Sequence, residues 1–227
     1  DHIIKKIGTP TMGGILIVPI GLLVVNLICI RYQNYHQILA ISLLTLSYML
    51  IGIIDDWQSL VNKKNFGLSA KYKLIYQTIC SIVFLNWAFL ENWINSDIFL
   101  YSNYSLNIGI LIWPLALFIL LAESNATNLT DGLDGLASGC GSLIFTGIAL
   151  QLVLRESNAN YNFAVFCMGM AGTWLGFLIY NKNPAKIFMG DTGSLAMGAA
   201  LGGVGLITNS SWALLLMGGV LLAESMS

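Results

Sequence analysis

Long apolar runs recur along this chain, separated by short polar segments. A helical run of about 17–25 apolar residues matches the hydrocarbon core of a bilayer. Eight such runs are readable, at roughly 13–30, 37–54, 73–90, 108–123, 135–154, 162–180, 192–208 and 212–227. Their recurrence predicts an all-α fold, a polytopic transmembrane helix bundle, over a large soluble helical core. The fourth and seventh runs are marginal in length. The seventh, "GSLAMGAALGGVG", is built from small residues that let helix backbones approach closely inside a membrane.

Composition supports the membrane reading. The chain has 227 residues, of which 56% are hydrophobic and 9% charged; a soluble domain carries about 25% charged residues. A net charge of −1 gives no ground for nucleic-acid binding. Cys29, Cys80, Cys140 and Cys167 each lie inside an apolar run and form no C-x-x-C pair, so they read as small buried hydrophobes. The chain opens on "DHIIKKIGTP", as after a missing helix, and closes on "LLAESMS" within an apolar run. The expectation is one integral-membrane domain, 1–227, truncated at both ends.

Charge placement orients the bundle. With the runs alternating across a membrane, Lys5, Lys6, Lys63, Lys64, Lys71, Lys73, Lys182 and Lys186 fall on one face, and only Arg31 and Arg155 on the other. Lys and Arg accumulate in cytoplasmic loops, which makes the first face the inner one. The same alternation, set without reference to acids, collects Asp55, Asp56, Asp131, Asp134 and Asp191 on that face, each at or near the end of a run.

Several motifs give those acids a chemical reading. In "GIIDDW" the adjacent Asp55 and Asp56 repel each other unless a cation or proton compensates, and a divalent metal does so well. A basic loop follows, suited to an anionic substrate. In "NATNLTDGLDGLA", Asn125, Asn128, Asp131 and Asp134 recur at three-residue intervals, suiting a nucleoside's polar edges or Mg²⁺. Asp131 and Asp134 would share a face if helical; the plainer alternative is that Thr130 or Asp131 caps the next helix. Asp191 opens the seventh run in "NPAKIFMGDTGSLA", after Pro184 breaks the sixth. It reads either as a cap or as a third metal ligand beside the Asp55–Asp56 pair. The Gly-rich "KKIGTPTMGG" could meet phosphate through backbone N–H groups, although it is no P-loop. "LLAES" occurs at Leu120–Ser124 and Leu221–Ser225, too short to imply a duplicated fold.

Together "KIGTPTMGG", "GIIDDW", "GLSAKYKL", "NATNLTDGLDGLA" and "NPAKIFMGDTGSLA" resemble, in order, the bacterial phospho-N-acetylmuramoyl-pentapeptide transferases of the polyprenyl-phosphate N-acetylhexosamine-1-phosphate transferase superfamily. The resemblance implies a ten-helix fold, of which this chain would hold about eight helices. It implies transfer of phospho-MurNAc-pentapeptide from UDP to undecaprenyl phosphate, giving lipid I and UMP, for peptidoglycan synthesis. It further implies Mg²⁺, a homodimer, and a site on the cytoplasmic face of the bacterial inner membrane. By the same resemblance Asp55, Asp56 and Asp191 are catalytic, with Asp191 and Asn128 as metal ligands. Lys6, Thr11, Lys63, Lys71, Asn125, Asn128, Asp131, Asp134, Phe188 and Gly190 would bind substrate. A rival within the superfamily would use UDP-GlcNAc. A cation-coupled transporter would place its acids near the bilayer midplane, whereas here they gather at one interface. An inert membrane scaffold would need none of them. The geometric expectation common to the enzymatic readings is that Asp55, Asp56 and Asp191 converge around one divalent ion.

Overall fold

The structure is a computed structural model that describes residues 9–62, 67–101, 104–155, 158–211 and 213–214. Seven α-helices carry the described fold: α1 (Gly14–Cys29), α2 (Tyr35–Asn62), α3 (Ala70–Leu90), α4 (Ile112–Thr130), α5 (Leu136–Leu154), α6 (Asn158–Asn181) and α7 (Gly190–Ile207). Among the described residues, five stretches are long and apolar enough to cross a membrane: Tyr35–Val61, Ala70–Leu90, Gly109–Thr130, Leu136–Leu154 and Asn160–Asn181. An all-α, polytopic membrane bundle is therefore the fold. The expected span at 212–227 lies almost wholly outside the described residues.

Two spans run further than their hydropathy suggested. α2 continues past the apolar run to Asn62, so Asp55 and Asp56 sit inside a helix and do not end one. α4 continues through Asn125 and Asn128 to Thr130, because its intrahelical hydrogen bonds persist where its hydropathy falls. Asp131 and Asp134 then lie in the turn between α4 and α5, not on a common helix face. Gly135, at φ +79, turns the chain into α5 and occupies the N-cap position without a side-chain cap, so neither Thr130 nor Asp131 caps that helix. A short antiparallel hairpin was not anticipated: β1 (Asp97–Tyr101) pairs with β2 (Tyr104–Asn107), with Asp97 opposite Asn107.

α7 is the axis of the bundle. Every residue from Thr192 to Ile207 is buried. α1, α2 and α4 pack directly on it, α3 fits between α2 and α4, and α5 pairs with α6 alongside. Glycine makes this density attainable. A Cβ at Gly198 of α7 would overlap backbone atoms of Glu123 and Ser124 on α4, and one at Gly52 of α2 would overlap those of Asp191 and Thr192. In a membrane, such backbone proximity replaces the hydrophobic drive available in water.

Both ends of α7 are secured by other elements. The first N–H groups of a helix have no partner within it. Here Met189 at the N-cap supplies none. Asp56 reaches across from α2 instead: Oδ1 accepts from the Asp191 N–H at 3.2 Å, and Oδ2 from the Thr192 N–H at 3.0 Å and the Thr192 hydroxyl at 2.7 Å. A carboxylate there also complements the positive end of the helix dipole. At the other end, the Arg155 guanidinium donates to the Thr208 carbonyl at 2.8 Å and Ser210 Oγ at 3.3 Å. Asn209 ties this end to the hairpin through the Asp97 carbonyl at 3.0 Å.

Two variants test this packing, read as thermal unfolding of the full-length protein in detergent. Gly198→Val should destabilise the bundle by about 1–3 kcal/mol through overpacking. Asp56→Ala should cost about 0.5–2 kcal/mol as a lost helix cap. Unchanged unfolding midpoints in both would show that α7 is not clamped as described.

Candidate active site

All seven helices alternate in direction, which brings the start of α1, the end of α2, the start of α3, the end of α4, the start of α5, the end of α6 and the start of α7 to one end of the bundle. The candidate site residues within the described chain all come from these segments. The chemistry available at that end is set by which of their side chains meet.

Asp55, Asp56 and Asp191 do meet. Each offers a carboxylate oxygen, and these oxygens lie within 4.8 Å of one another. Asp55 is buried, and Asp56 and Asp191 are partly so. Asp55 Oδ1 accepts from the Leu68 N–H at 2.9 Å and pairs with Lys73 Nζ at 3.2 Å. Lys73 also pairs closely with Asp191 Oδ2. Among the described residues one ammonium thus faces three carboxylates in a partly desolvated setting. The donor set fits a hard divalent cation, which takes oxygen ligands. Glycines leave the space: a Cβ at Gly67 would stand 2.8 Å from Asp55 Oδ2, and one at Gly190 would overlap Asp56 Oδ2. Gly190 has φ +73, which further favours glycine at this position.

The two acids of the pair differ in what they can still do. Both oxygens of Asp56 are committed to the start of α7. Both polar contacts of Asp55 described above fall on Oδ1. Asp55 also engages the Asp191 side chain, so it joins Lys73 and Asp191 while Asp56 holds the helix.

Around the cluster, the segment before α1 runs beside the segment before α7. The Phe188 N–H donates to the Pro10 carbonyl at 2.8 Å, and the Gly13 N–H to the Phe188 carbonyl at 2.9 Å. This ladder brings Thr11 to the cluster's edge, where its hydroxyl would lie 3.2 Å from a Cβ at Gly190. Asn128 approaches the first turn of α7, its amide donating to Ser194 Oγ at 3.0 Å. Asp134 holds the segment between α6 and α7, accepting from the Ala185 N–H at 3.1 Å. Asp131, half-buried, closes α4 at the same end.

Other expected site residues are placed differently. Asn125 directs its amide donors to Gln77 Oε1 at 2.9 Å and its own helix at Leu121, behind the cluster and not towards it. Lys71 is exposed. Lys6 and Lys63 lie outside the described residues. Two residues were not singled out from sequence. Lys73 is one; it was noted only as part of a basic loop, yet it bridges Asp55 and Asp191. Its signal was present, since Lys73, Gln77 and Ser81 repeat every four residues along α3 and form one polar stripe in an apolar helix. The other is Asn181, which accepts from the Gly135 N–H and the Ser138 hydroxyl and donates to the Ile187 carbonyl, joining α5, α6 and the segment before α7. Nothing in its sequence context marks it.

Comparison with known proteins places this geometry. The family model for glycosyl transferase family 4 matches residues 38–209, from α2 to just past α7. A phospho-N-acetylmuramoyl-pentapeptide-transferase of Prochlorococcus marinus is 59% identical over 98% of this chain and 60% of its own length. Proteins of the same name from Synechococcus and Synechocystis are 57% and 46% identical, each over 99% of this chain and 60% of their own length. The chain thus spans about 60% of the length of these relatives. With Asp55, Asp56, Lys73 and Asp191 all inside the matched region, the chain belongs to glycosyl transferase family 4.

Proposed function

We propose that the full-length protein transfers phospho-MurNAc-pentapeptide from its UDP conjugate to undecaprenyl phosphate, releasing UMP and forming lipid I. The observation that carries this reading is the convergence of Asp55, Asp56, Asp191 and Lys73 at one end of a membrane bundle. The name and extent of the similar proteins support it. A soluble nucleotide and a membrane-anchored phosphate can meet only at such a boundary. By the lysine bias of the sequence, that boundary is the cytoplasmic face of the bacterial inner membrane.

The reaction exchanges one phosphate ester for another. An oxygen of the lipid phosphate bonds to the sugar-linked phosphorus, and the bond from that phosphorus to the UMP oxygen breaks. Such transfers depend on charge neutralisation and in-line positioning. Asp55, with Asp191, is the acid that meets the acceptor phosphate and takes its proton. In the two-step alternative a carboxylate oxygen bonds to the sugar-linked phosphorus as the bond to the UMP oxygen breaks, and the lipid phosphate oxygen then displaces that carboxylate. Asp56 keeps the start of α7, and hence Asp191, in place. Lys73 offsets negative charge. Mg²⁺ held by Asp191 and its neighbours, Asn128 among them, would neutralise the diphosphate and its leaving group. Thr11, Phe188 and Gly190 line the approach to the cluster, and Asp131 and Asp134 shape its rim through the segments they hold. Asn125 supports that rim from behind. In this reading Lys6, Lys63 and the exposed Lys71 add general positive charge that draws in the anionic substrates, no single one of them decisive. The protein works as a homodimer in this reading.

The test is Mg²⁺-dependent UMP release by the full-length protein given undecaprenyl phosphate and the UDP-linked muramoyl pentapeptide. Asp191→Asn should lower turnover by about 10²–10³-fold or more, as for loss of a preorganised electrostatic contact. Lys73→Met should also lower turnover, by at least about tenfold, whereas Lys71→Met should leave it within about twofold. Turnover of UDP-GlcNAc with none of the muramoyl substrate would reject the substrate assignment. Full activity in Asp191→Asn would reject the site.

A further inference from the structure

At the end of α2 and α3 opposite the carboxylates lies a cavity of about 320 Å³. From His36 to Asp55 the helix rises on the order of 28 Å, a bilayer core away. Its volume is at the lower end of the range for ligand pockets, roughly 300–1,000 Å³. One wall is aromatic: the rings of Trp87 and Trp93 sit 5.4 Å apart at 49°. The rest is polar, from Gln33, Asn34, His36, Gln37 and Glu91.

Tryptophans at a membrane boundary are ordinary. Gln33, His36 and Glu91 are exposed and Asn34 and Gln37 half-buried, so the polar rim of the cavity faces solvent and its donors and acceptors are open to an incoming molecule beside the two indoles. Amides offer donors and acceptors together, a carboxylate accepts, and imidazole does either. Indole faces supply a flat apolar surface with a polar handle. A flat C–H face ringed by hydroxyl groups is the complement of this arrangement, and that is the chemistry of a pyranose ring. We propose that this cavity is a binding site for a neutral pyranose, presented at the membrane surface as the headgroup of a glycolipid. The site is independent of the carboxylate cluster and of the reaction assigned to it.

The test uses full-length protein labelled with 5-fluorotryptophan in phosphatidylglycerol nanodiscs, with the Trp87 and Trp93 resonances assigned from Trp87→Phe and Trp93→Phe. Adding glucosyl diacylglycerol to the bilayer should shift both resonances saturably. The buried Trp174 resonance should stay in place and report the fold. Gln37→Ala combined with Glu91→Ala should weaken the response by at least about tenfold. Methyl β-glucoside in solution separates the sources. The same shift means the ring alone suffices, and a shift from the lipid alone means the sugar is recognised at the membrane; both support the site. Absence of a shift in both arms would overturn it. So would a response unchanged in the double variant, or an equal response to phosphatidylcholine, which would make the tryptophans an ammonium cage.

Discussion

The start of α7 is the constraint on which the site depends. A glycine-rich helix, buried from Thr192 onward, presents unpaired N–H groups at its first turn, where no side-chain cap of its own serves them. Asp56 meets that need from α2, through three hydrogen bonds to Asp191 and Thr192. This fixes how far α7 can slide along α2. Because Asp55 adjoins Asp56 in sequence and Asp191 adjoins the capped N–H, the same contact gathers three carboxylates. The capping interaction and the acid cluster are therefore one geometric fact.

Gathering acids has an electrostatic cost, and Lys73 offsets part of it by pairing with both Asp55 and Asp191. With three carboxylates and one ammonium among the described residues, the cluster's donor set suits a divalent cation. The cluster also separates the roles within the Asp55–Asp56 pair. One carboxylate holds the helix, and the other pairs with the ammonium and with Asp191. A phosphoryl transfer asks for that division, since its demands are position and charge.

Much of this was legible in the sequence, for physical reasons. Hydropathy located the spans because a bilayer imposes length and apolarity together. The alternation of helices placed Asp55, Asp56 and Asp191 on one face before any geometry was known. The limits were equally physical. Hydropathy reports the surroundings of a side chain, whereas helices end where backbone bonding ends, so α2 and α4 outran their apolar runs. Lys71 and Lys73 look alike in a basic loop; only the start of α3 at Ala70 decides which one turns inward. Asn125 shares the spacing of Asn128 but faces Gln77, a partner far away in sequence. The hairpin of Asp97–Tyr101 and Tyr104–Asn107 mixes apolar and polar residues in runs too short to register as a span.

The central claim is that these acids, drawn together by the capping of α7, form one divalent-cation site. The most direct measurement is the position of Mn²⁺, substituted for Mg²⁺, by anomalous diffraction from crystals of the full-length protein. The account predicts a single strong peak bonded to Asp191 and adjacent to Asp55, with Asp56 still on the first turn of α7. A peak at the Asp131–Asp134 turn, with Lys73 still closing an ion-free cluster, would contradict it.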